Sequence, residues 1–416
     1  MKPLRLLFGG SPCTHWSIAQ KNNRETEPEG LGWELFKNYL IAKEKFKPDF
    51  FLYENNKSAS QPIKDQISKE FGVGVEPNVR FTYINSALVS AQNRNRFYVT
   101  NFGDIEQPKD RGILLKDILE TGIIDKEKAY CLKHQAGNIR DYFKKHHTQV
   151  ACEPIRVGCM PSPNGELKNS QGMRIYSIDG KSVNQTALGG GLGAKTGLYA
   201  IPINITDDGK SQTIKAQYQK TSTVNVCCYT STYGATGVAE KIGYATPVEW
   251  NENGVPTKAI SCADGKTYTV YKVENGEITI KDKQYPIKLP DGYYIIRKLT
   301  VVECSRLQTM PDDYCTPFVS DTQAYRALGN GWTAEVIIHL LNHALKDIPR
   351  DTPLEVLSMY DGIATALYCL KKMGFTNITY KAYEIDPYAK KIASGNHPEI
   401  IQCGDAFDVR KENWSF

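Results

Sequence analysis

Short apolar runs that stop at a glycine or a polar residue recur near both ends of the chain. Leu4–Phe8, Phe50–Tyr53 and Leu354–Met359 read as strands, as do the segments opening at Phe97 and at Tyr380. Between them the apolar spacing becomes helical. Trp33 to Phe46 places Leu35, Tyr39, Ala42 and Phe46 on one face, and Thr333–Leu345 and Leu367–Met373 read as further helices, with a short helical segment at Gly112 to Glu120. From about Ile123 to Tyr294 the pattern changes. Gly, Ser, Thr, Tyr and Asn increase and short alternating runs appear, such as Tyr268–Lys272 and Glu277–Ile280. A smaller domain of short strands and long loops is expected there. Within it, Asp179–Ser182 and Asp208–Ser211 are locally similar and suggest two related hairpins.

Length and composition narrow the class. With 416 residues, 41% of them hydrophobic, the chain can bury a large core and is expected to hold two domains. No run is long enough to span a bilayer, and the amino terminus lacks a basic-then-apolar leader, so a cytoplasmic protein without membrane association is expected. The 11 cysteines have no Cys-x-x-Cys spacing, which argues against a metal site and fits a reducing compartment. A formal charge of +5 permits a nucleic-acid partner without requiring one.

The candidate chemistry starts at Leu4 to Ala19, where a strand, a Gly-Gly break and a Pro-Cys pair follow one another. A loop at the carboxyl end of a strand is where ligands bind in α/β sheets, so Cys13 is a nucleophile candidate. The polar stretch Gln20 to Glu29 reads as a loop that could close over a substrate. Glu54 ends an apolar strand, where desolvation would raise its proton affinity and let it share a proton near neutral pH. Arg94 and Arg96 are two apart and face one way on an extended chain, so both can address one anionic or carbonyl-bearing ligand. Near the carboxyl end, Tyr360–Ala366 is a glycine-bearing turn between a strand and a helix. Glu384 ends the next strand, suited to ribose hydroxyls, and Asp405 ends a third, suited to an adenine amino group. Plainer readings fit each of these residues taken singly: a structural cysteine, a capping or ion-paired glutamate, solvated arginines, and a turn found in any βα unit.

Taken together, the Gly-Gly-Ser-Pro-Cys, Glu54-Asn55 and Gln92–Arg96 segments resemble the Pro-Cys, Glu-Asn-Val and Gln-x-Arg-x-Arg motifs of the DNA cytosine-5 methyltransferases, with Asn56 in place of the valine. Arg297–Gln308 resembles the family's ninth motif, a helix on which Glu303 and Arg306 could pair. Gln323–Trp332 resembles the tenth, in a Gly-x-Gly-Trp form close to the mammalian de novo enzymes. The segments at Tyr360, Glu384 and Asp405 resemble the first three motifs, so the motif order is that of a circularly permuted enzyme.

The resemblance implies an α/β fold: a doubly wound, Rossmann-like, S-adenosylmethionine-dependent methyltransferase sheet, permuted, with a smaller, loop-rich, mainly β target-recognition domain across a cleft. It implies a catalytic half at 1–122, a recognition domain at 123–294, returning helices at 295–346, a linker at 347–353 and a cofactor-binding part at 354–416. Cys13, Glu54, Arg94 and Arg96 would be catalytic. The donor would be held by Tyr360, Asp361, Gly362, Ile363, Ala364 and Thr365, by Glu384 and Ile385, by Asp405 and Ala406, and by Pro12, Asn330, Gly331 and Trp332. Double-stranded DNA would be the partner. Ser17 is a candidate phosphate contact, and Arg174, Lys195, Lys215, Gln217 and Lys220 are candidate contacts in the recognition domain. A monomer is expected, and the resemblance allows a cognate restriction endonuclease. An RNA cytosine methyltransferase, a catalytically inactive DNA-binding protein and a cytosine modifier with an altered donor remain as alternatives.

Overall fold

The computed structural model describes residues 2–12, 15–17, 24–124, 126–129, 131–132, 245–253, 255–280, 282–412 and 414, together with strand segments at 150–154, 158–159, 174–177, 198–201 and 227–228. The chain divides into two compact units. One comprises Met1–Ile118, Lys126–Asn138 and Val301–Phe416; the other comprises Leu119–Asp125 and Ile139–Thr300.

The chain opens with β1 (Leu4–Gly9), α1 (Gly30–Phe46), β2 (Phe50–Asn56), α2 (Gln61–Phe71), β3 (Arg80–Asn85) and β4 (Asn95–Thr100). The second unit supplies β5 (Val150–Pro154), β6 (Gly158–Cys159), β7 (Arg174–Ser177), β8 (Leu198–Ile201), β9 (Cys227–Cys228), β10 (Thr246–Trp250), β11 (Pro256–Ile260), β12 (Thr267–Glu274), β13 (Glu277–Ile280), β14 (Lys283–Pro286) and β15 (Gly292–Lys298). Then follow α3 (Val301–Leu307), α4 (Asp321–Asn330), α5 (Ala334–Leu345), β16 (Leu354–Met359), α6 (Thr365–Lys372), β17 (Ile378–Tyr383), α7 (Pro387–Asn396) and β18 (Ile401–Gly404).

The first unit is built on a seven-stranded sheet in the order β18-β17-β16-β1-β2-β4-β3. Neighbours from β18 through β2 are parallel, whereas β4 is antiparallel to both β2 and β3. Counted from β16 as the first strand, the order is 3-2-1-4-5-7-6. That is the doubly wound order with one reversed strand inserted before the last. Strands from opposite ends of the chain share one core, in which Leu7, Tyr53, Phe97, Leu357, Met359 and Tyr383 are buried together.

Helix α1 docks through Trp33, Phe36, Tyr39, Ala42 and Phe46. Phe36 replaces the expected Leu35, which is only half-buried. Its ring lies edge-on to Tyr53 at 5.2 Å and to Phe71 at 5.7 Å, contacts that a leucine one position earlier would not make. Of the segment Gly112 to Glu120, Leu115–Ile118 forms a single 3-10 turn, started by the Asp117 carboxylate accepting from Leu114 N. The start of Arg297–Gln308 is also corrected: Arg297 and Lys298 end strand β15, where they pair with Ala151 and Val150, and the helix begins at Val301. On that helix Arg306 makes a two-pronged pair with Asp312. The polar segment before β16 is anchored at several points: Arg350 stacks on Phe375 at 4.6 Å and donates to Leu345 O, while Pro353 O accepts from Leu4 N.

In the second unit β10-β11-β12-β13-β14 run in order, and β15 pairs with both β12 and β5. Val273, Ile278, Ile287, Leu289, Tyr294 and Ile296 form its core. A four-stranded sheet runs β6-β7-β8-β9. Arg174 lies on β7, but its side chain, Lys195, Lys215, Gln217, Lys220 and both locally similar Asp-Gly-Lys-Ser segments lie outside the described residues. Among the described residues no helix is long and apolar enough to cross a membrane, and no His/Cys/Asp/Glu group is arranged to hold a metal ion.

Candidate active site

The strand order turns back between β16 and β1, so their carboxyl ends open the crevice where α/β sheets bind ligands. Gly9 and Met359 are register partners at that edge, and Gly9 also pairs with Tyr53. The two glycines are required by close approach. A Cβ on Gly9 would lie 2.8 Å from the Tyr39 ring, and one on Gly10 would lie 2.8 Å from Glu54 O and 2.9 Å from Glu54 Oε2. Beyond them Ser11 is buried, its hydroxyl 2.7 Å from Tyr53 Oη, and Asn55 Nδ2 donates to Ser11 O at 2.9 Å. The loop leading through Pro12 to Cys13 is thus fastened to the strand that carries Glu54. Cys13 itself lies outside the described residues.

Glu54 is 8% exposed and both its oxygens are occupied. Arg96 Nε lies 2.9 Å from Oε1, and Trp332 Nε1 donates to Oε2 at 2.9 Å. Arg96 is anchored in turn by donating from Nη1 to Asn95 O. Arg94 points elsewhere: it is 3% exposed and donates to Gly329 O and Gly331 O, fixing the turn that presents Trp332. Gln308 reinforces the same turn by donating to Leu328 O. Asn56 does more than shape the turn after β2, since its Nδ2 lies 3.4 Å from Ser17 Oγ. Ser17 is followed back to the start of α1 by a clasp at Glu25, whose carboxylate accepts from Trp16 Nε1 and from Gly32 N.

The other side of the crevice carries three carboxylates at the ends of three adjacent parallel strands. After β16, Tyr360, Gly362 and Ala364 all have positive φ, which makes a tight turn. Tyr360 Oη donates to Leu35 O, and Tyr314 Oη donates to Ile363 O. Glu384, after β17, accepts from Gly362 N through Oε2 and from Ile385 N and Asp386 N through Oε1. It therefore stitches the first loop to the second. A carboxylate offers about four acceptor positions, so room remains for a ligand hydroxyl. Ile385 is 68% exposed. Asp405, after β18, caps the following turn through Phe407 N, and Ala406 is buried behind it.

Asp361 is the unusual member. Tyr380 Oη donates to its Oδ1 at 2.6 Å, while its Oδ2 is buried with no hydrogen-bond partner among the described residues. Burial pushes its carboxyl up from 3.8 to about 7; the Tyr380 and Ser358 hydroxyls oppose the shift and Glu384 adds to it. Between those two pH values the folded state keeps a proton that the unfolded chain has lost, so raising the pH favours unfolding. We expect the stability of the ligand-free protein to fall across that window by up to a few kcal/mol. Asp361→Asn should flatten the dependence and be the more stable form above neutrality. Denaturant unfolding at a series of pH values checks this, and parallel curves for the two proteins would contradict it.

The structure thus brings Glu54, Arg96 and Trp332 together, sets Arg94 behind the Gly331 turn, and gathers Tyr360–Thr365, Glu384, Ile385, Asp405 and Ala406 at one sheet edge. Sequence reasoning did not single out Tyr53, Gly10, Tyr380 or Cys131 as site residues. Tyr53 and Gly10 sat inside the motifs already examined; the other two had no local signal.

The sheet order and the loops at its strand ends define a doubly wound α/β protein whose crevice carries an arginine-held glutamate. The family model for C-5 cytosine-specific DNA methylases matches residues 2–346, and the chain belongs to that family; it is a DNA (cytosine-5-)-methyltransferase. Its relatives include orphan methyltransferase M.SPRI of Bacillus phage SPR, 22% identical over 369 residues that span 80% of each chain. Orphan methyltransferase M.Rho11sI of Bacillus phage rho11s is 24% identical over 430 aligned residues, spanning 80% of this chain and 83% of the relative. Among solved structures, the Entamoeba histolytica methyltransferase EhMeth is 12% identical, with a TM-score of 0.34 over 83% of this chain and 78% of that one. The fold rests on the sheet order above, not on this similarity.

Proposed function

We propose that the protein transfers a methyl group from S-adenosylmethionine to C5 of a cytosine flipped out of a specific duplex DNA sequence, through a covalent bond between Cys13 and C6 of the base. The observation that carries this reading is the buried Glu54, held by Arg96 and Trp332 against Gly10 of the Pro-Cys loop.

The donor set fits S-adenosylmethionine. Glu384 and Asp405 suit ribose hydroxyls and an adenine amino group, Ile385 offers an exposed apolar face, and Tyr360 offers an aromatic ring for a sulfonium. Asp361 Oδ2, buried without a hydrogen-bond partner among the described residues, is a polar atom that a ligand group could satisfy. When bound, the cofactor supplies an electrophilic methyl group on a positively charged sulfur. The chain's own residues do the rest. The Cys13 thiolate forms a bond to C6 while Glu54 donates a proton to N3, so the ring electrons gather at C5 rather than as charge on the base. Arg96 keeps Glu54 in place and offers donors toward the base carbonyl, and Arg94 holds the Trp332 turn. C5 would take the methyl group that the bound donor supplies, the donor sulfur keeping the bonding pair as a neutral thioether; the C5 proton would pass to solvent water, the N3 proton would return to the Glu54 carboxylate, and breaking of the Cys13–C6 bond would restore the ring and the thiolate.

The order of elements supports a circular permutation. Strands β16–β18 follow the region matched by the family, yet complete its sheet as strands one to three. The second unit is assigned to target recognition, with Ser17 and the basic residues of that unit contacting DNA. Two relatives are orphan methyltransferases of Bacillus phages, which favours a role without a partner nuclease; phage DNA protection by a cytoplasmic monomer is the reading proposed.

Methyl transfer from labelled S-adenosylmethionine to duplex DNA and to RNA, followed by sequencing of the methylated DNA, tests the proposal. Label in 5-methylcytosine within one DNA sequence is expected. Label only in RNA, or none, would overturn it.

A further inference from the structure

Cys131 lies in the first unit, on a segment laid beside Gln92–Arg96: Asn93 N donates to Ala129 O, Ala129 N donates to Ala91 O, and Gln92 bridges Ala129 in parallel. Its Sγ is 3.4 Å from Arg94 Nη1 and 3.8 Å from Arg96 Nη2. We propose that Cys131 is a positioning residue of the methyl-transfer site, its sulfur tying Arg94 to Arg96 and so fixing the guanidinium that holds Glu54. The inference rests on the reading of Glu54 and Arg96 given above.

The burial of Arg94 supports it beside the contact geometry. Arg94 is 3% exposed, and its other side-chain partners are the neutral carbonyls of Gly329 and Gly331; among the described residues it has no carboxylate partner. A buried cation without a counter-charge is costly. The Cys131 sulfur, 3.4 Å from Arg94 Nη1, is a group in contact with that guanidinium that can carry a negative charge. Burial pushes the thiol up, but Arg94 and Arg96 outweigh it and leave it below its usual value. Cys131 Sγ also lies 3.5 Å from Leu132 O, to which the protonated thiol donates. Tyr98, which feels Glu54, Arg96 and Arg94, has its hydroxyl pushed further up by burial and stays neutral.

Three variants separate a charge from a space-filling role. Cys131→Ser keeps size without charge, Cys131→Ala keeps neither, and Cys131→Asp restores an anion. We expect Ser and Ala to lower kcat by about ten- to a hundred-fold, the range for a displaced catalytic group, with the KM for the methyl donor unchanged and Asp recovering part of the loss. Full activity in Cys131→Ser, or an Asp variant that is folded yet no better than Ala, would overturn the proposal. If no variant folds, acid titration of the ultraviolet thiolate band decides in Cys13→Ala protein, which keeps the Cys131 environment. A band persisting below the ordinary thiol range is expected, and its absence would overturn the proposal. A fully active Glu54→Gln would instead mean that the catalytic reading had failed, whatever Cys131 does.

Discussion

Glu54→Gln is expected to lower the single-turnover rate of methyl transfer by about a hundred- to ten-thousand-fold, the usual weight of a positioned acid-base group. The amide matches the carboxyl in size, but its single oxygen can accept from only one of Arg96 Nε and Trp332 Nε1, so half of the hydrogen-bonded frame around residue 54 should survive. What it cannot do is carry a proton to the base. Some loss of stability is also expected, because Arg96 is left buried without its carboxylate. Rapid-quench kinetics beside an unfolding curve separate the two effects. A rate within about threefold of the unaltered protein, in a folded variant, would remove Glu54 from the chemistry.

Glu384→Ala should weaken S-adenosylmethionine binding by about 2–4 kcal/mol, roughly thirty- to a thousand-fold. Two losses combine. The ribose acceptor disappears, and three backbone N–H groups, of Gly362, Ile385 and Asp386, lose the carboxylate that joins the loop after β16 to the loop after β17. Glu384→Gln keeps an acceptor and should retain an intermediate affinity. Titration calorimetry gives both numbers, and unchanged affinity in Glu384→Ala would mean that this sheet edge is not the donor site.

Much of this was legible in the sequence because parallel strands buried on both faces leave continuous apolar runs. Leu354–Met359 is a strand with those bounds, and Phe50–Tyr53 is the start of β2. Helix faces were less legible where two large apolar residues adjoin. Leu35 and Phe36 differ by one position, and only the rings of Tyr53 and Phe71 select Phe36. Arg297 and Lys298 look helical by charge, but their strand state is imposed by pairing with β5 across the unit. The site divides the same way. Glu54 and Arg96 stand inside recognisable motifs, whereas the indole of Trp332 reaches Glu54 from 278 residues away, and Cys131 has no flanking pattern that would link it to Arg94. Contacts of that range arise from the assembled sheet, not from local spacing.

The most direct measurement is covalent trapping on duplex DNA that contains 5-fluorocytosine at the methylated position, with S-adenosylmethionine present. Fluorine cannot leave C5 as a proton does, so the enzyme should stall after methyl transfer. Intact mass should then show one protein joined to one DNA duplex carrying the transferred methyl group, and peptide mapping should place the bond on Cys13. No adduct from an active enzyme, or an adduct on any other cysteine, would contradict the assignment of Cys13 as the nucleophile.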